Sequence, residues 1–270
     1  MQPTIRQPAV AGRFYPRDPK TLLADVQSYL STPQSPTTAI GCVVPHAGYM
    51  YSGHVAGAVF AKLEIPSRCI LMCPNHTGVG HPLAIVSEGL WQTPLGPVNI
   101  DHELAEKLRH GFPALEEDPS AHRAEHAAEV ELPFLQSLKP GITLVPIALG
   151  TGRYETLEAL GKAIAKSVSH EQEGILILAS SDMNHYENDQ ITRIKDHKAI
   201  DQILALNPRG LYDVVMKEEI SMCGFGPTVA MLTAALSLGA TKAELIKYAT
   251  SGDVSGDRNM VVGYAGIIVS

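Results

Sequence analysis

Residues 39–49, AIGCVVPHAGY, read as a short strand, 39–44, apolar along its length, that runs straight into a histidine-bearing loop. Two other stretches repeat the pattern: CILMC at 69–73 leads into Pro74-Asn75-His76, and GILILA at 174–179 leads into Ser180-Ser181-Asp182-Met183-Asn184-His185. Strands with no polar face are typical of sheets covered by helices on both sides. Working outward, further strand-length apolar runs occupy 68–73, 83–86, 143–149, 243–249 and 261–269. Helical patterns lie between them. Leu22, Leu23, Val26 and Leu30 recur at helical spacing behind an N-cap candidate, Asp18, with Pro19 in the first turn. Others are expected at 54–63, 102–110, 124–138, 156–168, 191–206 and 228–238. This alternation predicts a three-layer α/β/α fold with a mixed, largely parallel sheet, forming a single domain over 1–270. Open α/β sheets bind ligands at the carboxyl ends of their strands. His46, His76, Asp182 and His185 are therefore expected to meet on one rim.

Composition narrows the partners. The 270 residues include 28 acidic side chains against 21 lysines and arginines, a formal charge of −7, so no basic surplus exists to neutralise phosphates and nucleic acid is not an expected partner. A chain of this length can bury about 75% of its unfolded surface, so it needs neither a disulfide nor a structural metal. A metal would be there for chemistry. No apolar run approaches the roughly 20 residues that cross a bilayer, and the opening MQPTIRQPAV has no signal-peptide core, so a soluble, cytoplasmic protein is expected. The four cysteines form no CxxC pair, and Cys69 and Cys73 on one strand would sit about 13 Å apart, too far for a disulfide. Reduced thiols fit a cytoplasm.

The eleven histidines are the notable excess, because histidine serves both metal ligation and proton transfer near neutral pH. Any one strand-end histidine is equally well explained by a hydrogen bond within its turn; three at equivalent positions point to a site. Cys223 precedes an apolar helical segment in Met222-Cys223-Gly224-Phe225-Gly226-Pro227, where a helix N-terminus would favour thiolate. Its bland alternative is a small buried hydrophobe; the flanking glycines, which let backbone approach a site closely, argue for the site. On a helix over 124–138, His126 and Glu129 would form an orienting or acid/base pair, whereas a solvated charged face is the competing reading. His54, His81, His102, His110, His170 and His197 sit in loop or exposed helix contexts and are assigned structural roles. No GxSxG elbow, Walker A loop or complete GxGxxG occurs.

Five ordered motifs, PHAGYMYSG at 45–53, CPNH at 73–76, EHAAEVELPF at 125–134, SSDMNHY at 180–186 and MCGFGP at 222–227, resemble those of the Memo family. Its bacterial and archaeal members are named AmmeMemoRadiSam system protein B. The likeness extends to PAVAGRFYP, TPLGPVNID and SGDVSGDRNMVVGYAGI and so covers nearly the whole chain. It implies a LigB-like fold, related to the class III extradiol dioxygenases, in which two histidines and a carboxylate hold Fe(II). It further implies His46, His76 and Cys223 as metal ligands, with His126, Glu129, Asp182 and His185 as catalytic pocket groups. Cysteine replaces the dioxygenase carboxylate, so the implied cofactor is Fe(II) or Cu, with Zn as a further option. The implied activity is metal-dependent redox chemistry on a small molecule or peptide. The alternatives are a non-catalytic peptide- or ligand-binding module using the same pocket, and a zinc-type hydrolase or lyase. The family's name also implies a functional link to a radical-SAM enzyme and an Ammecr-type protein.

Overall fold

The structure is a computed structural model that describes residues 4–31 and 35–270. The N-terminal stretch read above for a leader begins with three residues that lie outside this description. Among the described residues the strands are β1 (Ile5–Arg6), β2 (Gly41–Val44), β3 (Arg68–Pro74), β4 (Leu83–Ile85), β5 (Leu90–Thr93), β6 (Gly96–Ile100), β7 (Glu116–Glu117), β8 (Thr143–Leu149), β9 (Ile175–Ser180), β10 (His185–Glu187), β11 (Ala243–Thr250) and β12 (Val261–Val269). The helices are α1 (Pro19–Tyr29), α2 (Tyr49–Lys62), α3 (His102–Gly111), α4 (Ser120–Arg123), α5 (Leu132–Leu138), α6 (Tyr154–Val168), α7 (Asp189–Leu204), α8 (Pro208–Lys217), α9 (Phe225–Ser237) and α10 (Gly252–Ser255).

One sheet runs β1-β5-β6-β8-β3-β9-β2-β12-β10, with β11 paired to β12 and β4 to β8. Its centre, β6-β8-β3-β9-β2, is parallel, and the β12 side is antiparallel. Alternate residues of the central strands feed two cores. Cys69, Leu71 and Cys73 of β3 pack with Leu22 and Val26 of α1, Phe60 of α2 and Phe134 of α5. Ile70 and Met72 pack on the other face with α3, α6, α7, α8 and α9. Both faces are covered, which is why these strands read as unbroken apolar runs.

The expected α/β/α architecture is therefore present, with differences that have local causes. Asp18 caps α1 by accepting from the Thr21 N–H at 2.9 Å, as expected. Helix α2 starts five residues before the expected 54, through Gly53 and Gly57. A Cβ on Gly53 would stand 2.7 Å from the Tyr29 ring, and one on Gly57 2.5 Å from Tyr29 Cβ, so these glycines permit close packing of two helices and do not mark a turn. The continuous helix expected over 124–138 does not form. The Glu125 carboxylate accepts from the His126 and Ala127 N–H groups at 2.8 and 2.9 Å, holding the chain out of helical conformation until a 3-10 turn at Glu129–Glu131 leads into α5. The β5–β6 hairpin and α8 lie outside the expected elements; α8 begins behind Asn207, whose side chain accepts from the Gly210 N–H at 2.9 Å.

Register explains how the site is assembled. Val44 pairs with Ser180 and Ala179 with Met72, so the residues just beyond β2, β9 and β3 emerge side by side from one edge of the parallel sheet.

Candidate metal centre

His46 follows β2 and is fixed at three points. Its backbone N–H donates to Asp182 Oδ1 at 2.8 Å, its Nδ1 lies 2.8 Å from Ser180 Oγ, and its Nε2 lies 3.2 Å from Cys223 Sγ. The ring is buried, and burial, followed by the neighbouring His76, His126 and His185, pushes its pKa down, so it is a neutral imidazole. His76, just beyond β3, is held by a single carboxylate: its backbone N–H donates to Glu125 Oε2 at 2.6 Å and its Nδ1 lies 2.9 Å from Oε1. Burial raises the Glu125 pKa, but the His76 hydrogen bond and charge and the Ala127 N–H outweigh it and bring the group to about 2. An ionised Glu125 can only accept, which puts a proton on His76 Nδ1, so that it is Nε2 that the neutral tautomer would offer to a metal.

Cys223 enters from the α8–α9 connection. Its Sγ accepts from the Asp182 N–H at 3.3 Å. Gly224 makes this approach feasible, since a Cβ there would stand 2.4 Å from both Ser180 O and Ser181 Cβ. The thiolate expected from the α9 N-terminus is not favoured by the protein's own groups: burial, then the Asp182 charge, push the thiol well up. A bound cation would reverse that balance.

The ligand atoms of His46, His76 and Cys223 all lie within 4.8 Å of one another. Ligand bonds of about 2.0–2.3 Å place the donors of a tetrahedral ion roughly 3.3–3.8 Å apart; the His46 Nε2 to Cys223 Sγ distance of 3.2 Å is close to that, so two imidazole nitrogens and a sulfur are grouped as a shared metal would require. The ligand atoms of His76, Glu125 and His126 form a second group that also lies within 4.8 Å. There, however, the Glu125 oxygens already receive three backbone N–H groups and His76 Nδ1. Glu125 suits an orienting role behind His76 better than a ligand role.

The three donors face a cavity of about 580 Å³. Asp182 and His185 line it beside them, Phe14, Val262 and Tyr264 form apolar walls, and lysine and arginine are absent from its described lining. Burial raises Asp182 to about 7 against the lowering effect of the His46 N–H. His185 Nδ1 lies 2.8 Å from Ser221 O, an acceptor, so its proton is on Nδ1. Burial lowers the pKa of His185 and of His126. His126 is sandwiched at 4.7 Å from both the His76 and the Phe14 rings. Tyr186, 71% exposed at the rim, holds a left-handed φ of 61°, a strained conformation for an aromatic residue.

Of the residues expected at the site, His46, His76, His126, Asp182, His185 and Cys223 are brought together, and Glu129 is not. Fully buried, Glu129 accepts from Arg6 Nη1 at 2.6 Å, Tyr15 OH at 2.6 Å and the Ala9 and Val10 N–H groups at 2.7 and 3.1 Å. It pins the N-terminal segment that carries Phe14 over the cavity. The pairing with His126 depended on the 124–138 helix that the chain does not form; the carboxylate beside the histidines is Glu125. Glu125 and Ser180, which orient the two histidine rings, had a sequence signal only in their adjacency to His126 and Asp182 within the EHAAE and SSD runs.

A model of the Memo-like protein family matches residues 6–268. A MEMO1 family protein of Methanosarcina barkeri is 45% identical over 98% of this chain and 100% of its own length. One from Methanothermobacter thermautotrophicus is 40% identical over 97% of this chain and 99% of its own. An uncharacterized protein of Escherichia coli K12 shares the fold, with a TM-score of 0.53 at 12% identity over 84% of this chain and 98% of that one. From its first strand to its last, the chain belongs to the Memo-like protein family.

Proposed function

We propose that this protein uses His46, His76 and Cys223 to hold iron(II) or copper, with zinc as the alternative, for an oxidoreductase-type reaction on a small molecule or peptide in the adjoining cavity. The observation that carries this reading is the convergence of two oriented imidazoles and one thiol on the cavity floor, with ligand atoms within 4.8 Å. Bound iron or copper would supply one-electron chemistry and open coordination positions. The chain's own groups handle protons: Asp182, held at about 7, can keep or release one near neutrality, while neutral His185 and His126 can accept one. Phe14 and Tyr264 shield the site from water on the apolar side. The family's naming supports a functional link to a radical-SAM enzyme and an Ammecr-type protein as a further part of the proposal, and four free cysteines suit a reducing, cytoplasmic setting.

The experiment is metal analysis of untagged protein prepared anaerobically under reducing conditions. About one ion per chain is expected in the wild type and a severe loss in His46→Ala and Cys223→Ser; equal metal in all three would sink the proposal. The absence of lysine and arginine from the described lining weighs against a module that recognises phosphorylated peptides. Zinc occupancy with ester or amide cleavage would instead support the hydrolase or lyase reading.

A further inference from the structure

Directly behind His46 lies a carboxyl group that the chemistry above does not use. Glu131 is fully buried; its Oε1 lies 3.0 Å from Ser180 Oγ, and its Oε2 has no hydrogen-bond partner among the described residues. Ser180 Oγ is also 2.7 Å from Ala127 O and 2.8 Å from His46 Nδ1. We infer that Glu131 is a positioning residue that, through Ser180, fixes His46 as its Nδ1–H tautomer and so presents the Nε2 lone pair to the metal position beside Cys223.

The argument is a count of protons. A serine hydroxyl has one proton to give and two lone pairs to receive with. Ala127 O is a carbonyl and can only accept, so it takes the Ser180 proton. Both remaining neighbours must then donate to Ser180: Glu131 as a neutral carboxylic acid, and His46 through Nδ1–H. Were Glu131 ionised, it would compete with Ala127 O for the single proton and would stand as a buried anion with one oxygen unpartnered, a costly arrangement. Burial, reinforced by the Asp182 charge, raises the Glu131 pKa well above the ordinary range despite the Ser180 hydrogen bond. His76 reaches the same tautomer through an ionised carboxylate, Glu125, whereas His46 reaches it through a neutral acid and a serine.

This inference rests on the ligand role proposed for His46, but its test reads the metal-free protein. In protein carrying 15N-labelled histidine at neutral pH, the nitrogen shifts of His46 report which ring atom bears the proton. The expected result is Nδ1–H in the wild type and in Glu131→Gln, whose amide N–H also donates to Ser180. Glu131→Leu and Ser180→Ala should mix the tautomers and weaken cobalt(II) binding by roughly 10–100-fold, as loss of a metal-orienting partner typically does. Infrared spectra should contain a carboxylic-acid C=O band at neutral pH that Glu131→Gln removes, a check that does not need the leucine variant to fold. An Nε2–H tautomer in the wild type, no such band, or a wild-type tautomer in Ser180→Ala would each overturn the inference. Loss of metal binding by the wild type would instead refute the proposed function and leave the tautomer result standing.

Discussion

Replacing Glu125 with glutamine changes one buried atom from acceptor to donor at the point where His76 is held. Oε1 receives His126 N–H at 2.8 Å, Ala127 N–H at 2.9 Å and His76 Nδ1 at 2.9 Å, while Oε2 receives the His76 backbone N–H at 2.6 Å. A glutamine amide loses least with its oxygen in the Oε1 place, which still sets its NH2 against one buried N–H. That unsatisfied donor costs about 1–3 kcal/mol, and the surviving bonds, no longer made to a charge, weaken by about 1 kcal/mol each. The sum is a destabilisation of about 4–6 kcal/mol if nothing relaxes, and about 3 kcal/mol if the NH2 group and the displaced N–H both find new partners. A second effect is separate: His76 loses the anion that set its tautomer, so metal affinity should fall roughly 10–100-fold, which is about 1.4–2.7 kcal/mol. Urea unfolding of the metal-free variant measures the first quantity, and cobalt(II) titration at a temperature where the variant is folded measures the second. Unchanged stability together with unchanged affinity would refute the assignment of Glu125 as the anchor of His76.

Two further outcomes follow from buried carboxyls away from the metal position. Burial raises Asp196 to about 7, opposed by hydrogen bonds from Tyr248 OH and the Asn184 N–H. The folded protein then keeps a proton that the unfolded chain releases from about pH 4 upward, so stability falls as pH rises from about 4 to 7 and levels off above; Asp196→Asn should flatten this slope, by up to about 4 kcal/mol across the window, and parallel urea-unfolding curves for variant and wild type would contradict it. For Glu129→Gln, Arg6 is left buried without its counter-charge, so a loss of about 3–5 kcal/mol is expected, with earlier proteolytic cleavage between Pro8 and Pro16, whereas a wild-type digestion pattern would show that the Glu129 clamp does not hold this segment.

The architecture was legible because burial leaves a direct trace in composition. Strands covered on both faces must be apolar throughout, and β3, β8, β9 and β12 therefore appear in the sequence with nearly their observed bounds. The strand-end rule carried the reading from fold to site, since residues that follow parallel neighbours in register emerge together. Where local patterns misled, a tertiary or side-chain contact had overruled them. The helix expected to begin at 54 runs back through Gly53 to Tyr49, because Tyr29 occupies the space a Gly53 side chain would need. The 124–138 segment has helical periodicity, but a buried carboxylate captures its backbone N–H groups.

The sequence by itself determined which residue types stand at the ends of β2, β3 and β9, and hence the expectation that His46, His76 and Asp182 share one edge of the sheet; that Cys223 joins them came from the family resemblance. Only the tertiary structure decided which acids serve those histidines. Glu125 and Glu129 are four residues apart and chemically identical, yet one holds His76 and the other secures Arg6 and the N-terminal segment. Two residues further on, Glu131 is sealed behind Ser180. A carboxyl group's role follows from the donors and cations around it and from its access to water, and these are set by packing between segments distant in the chain.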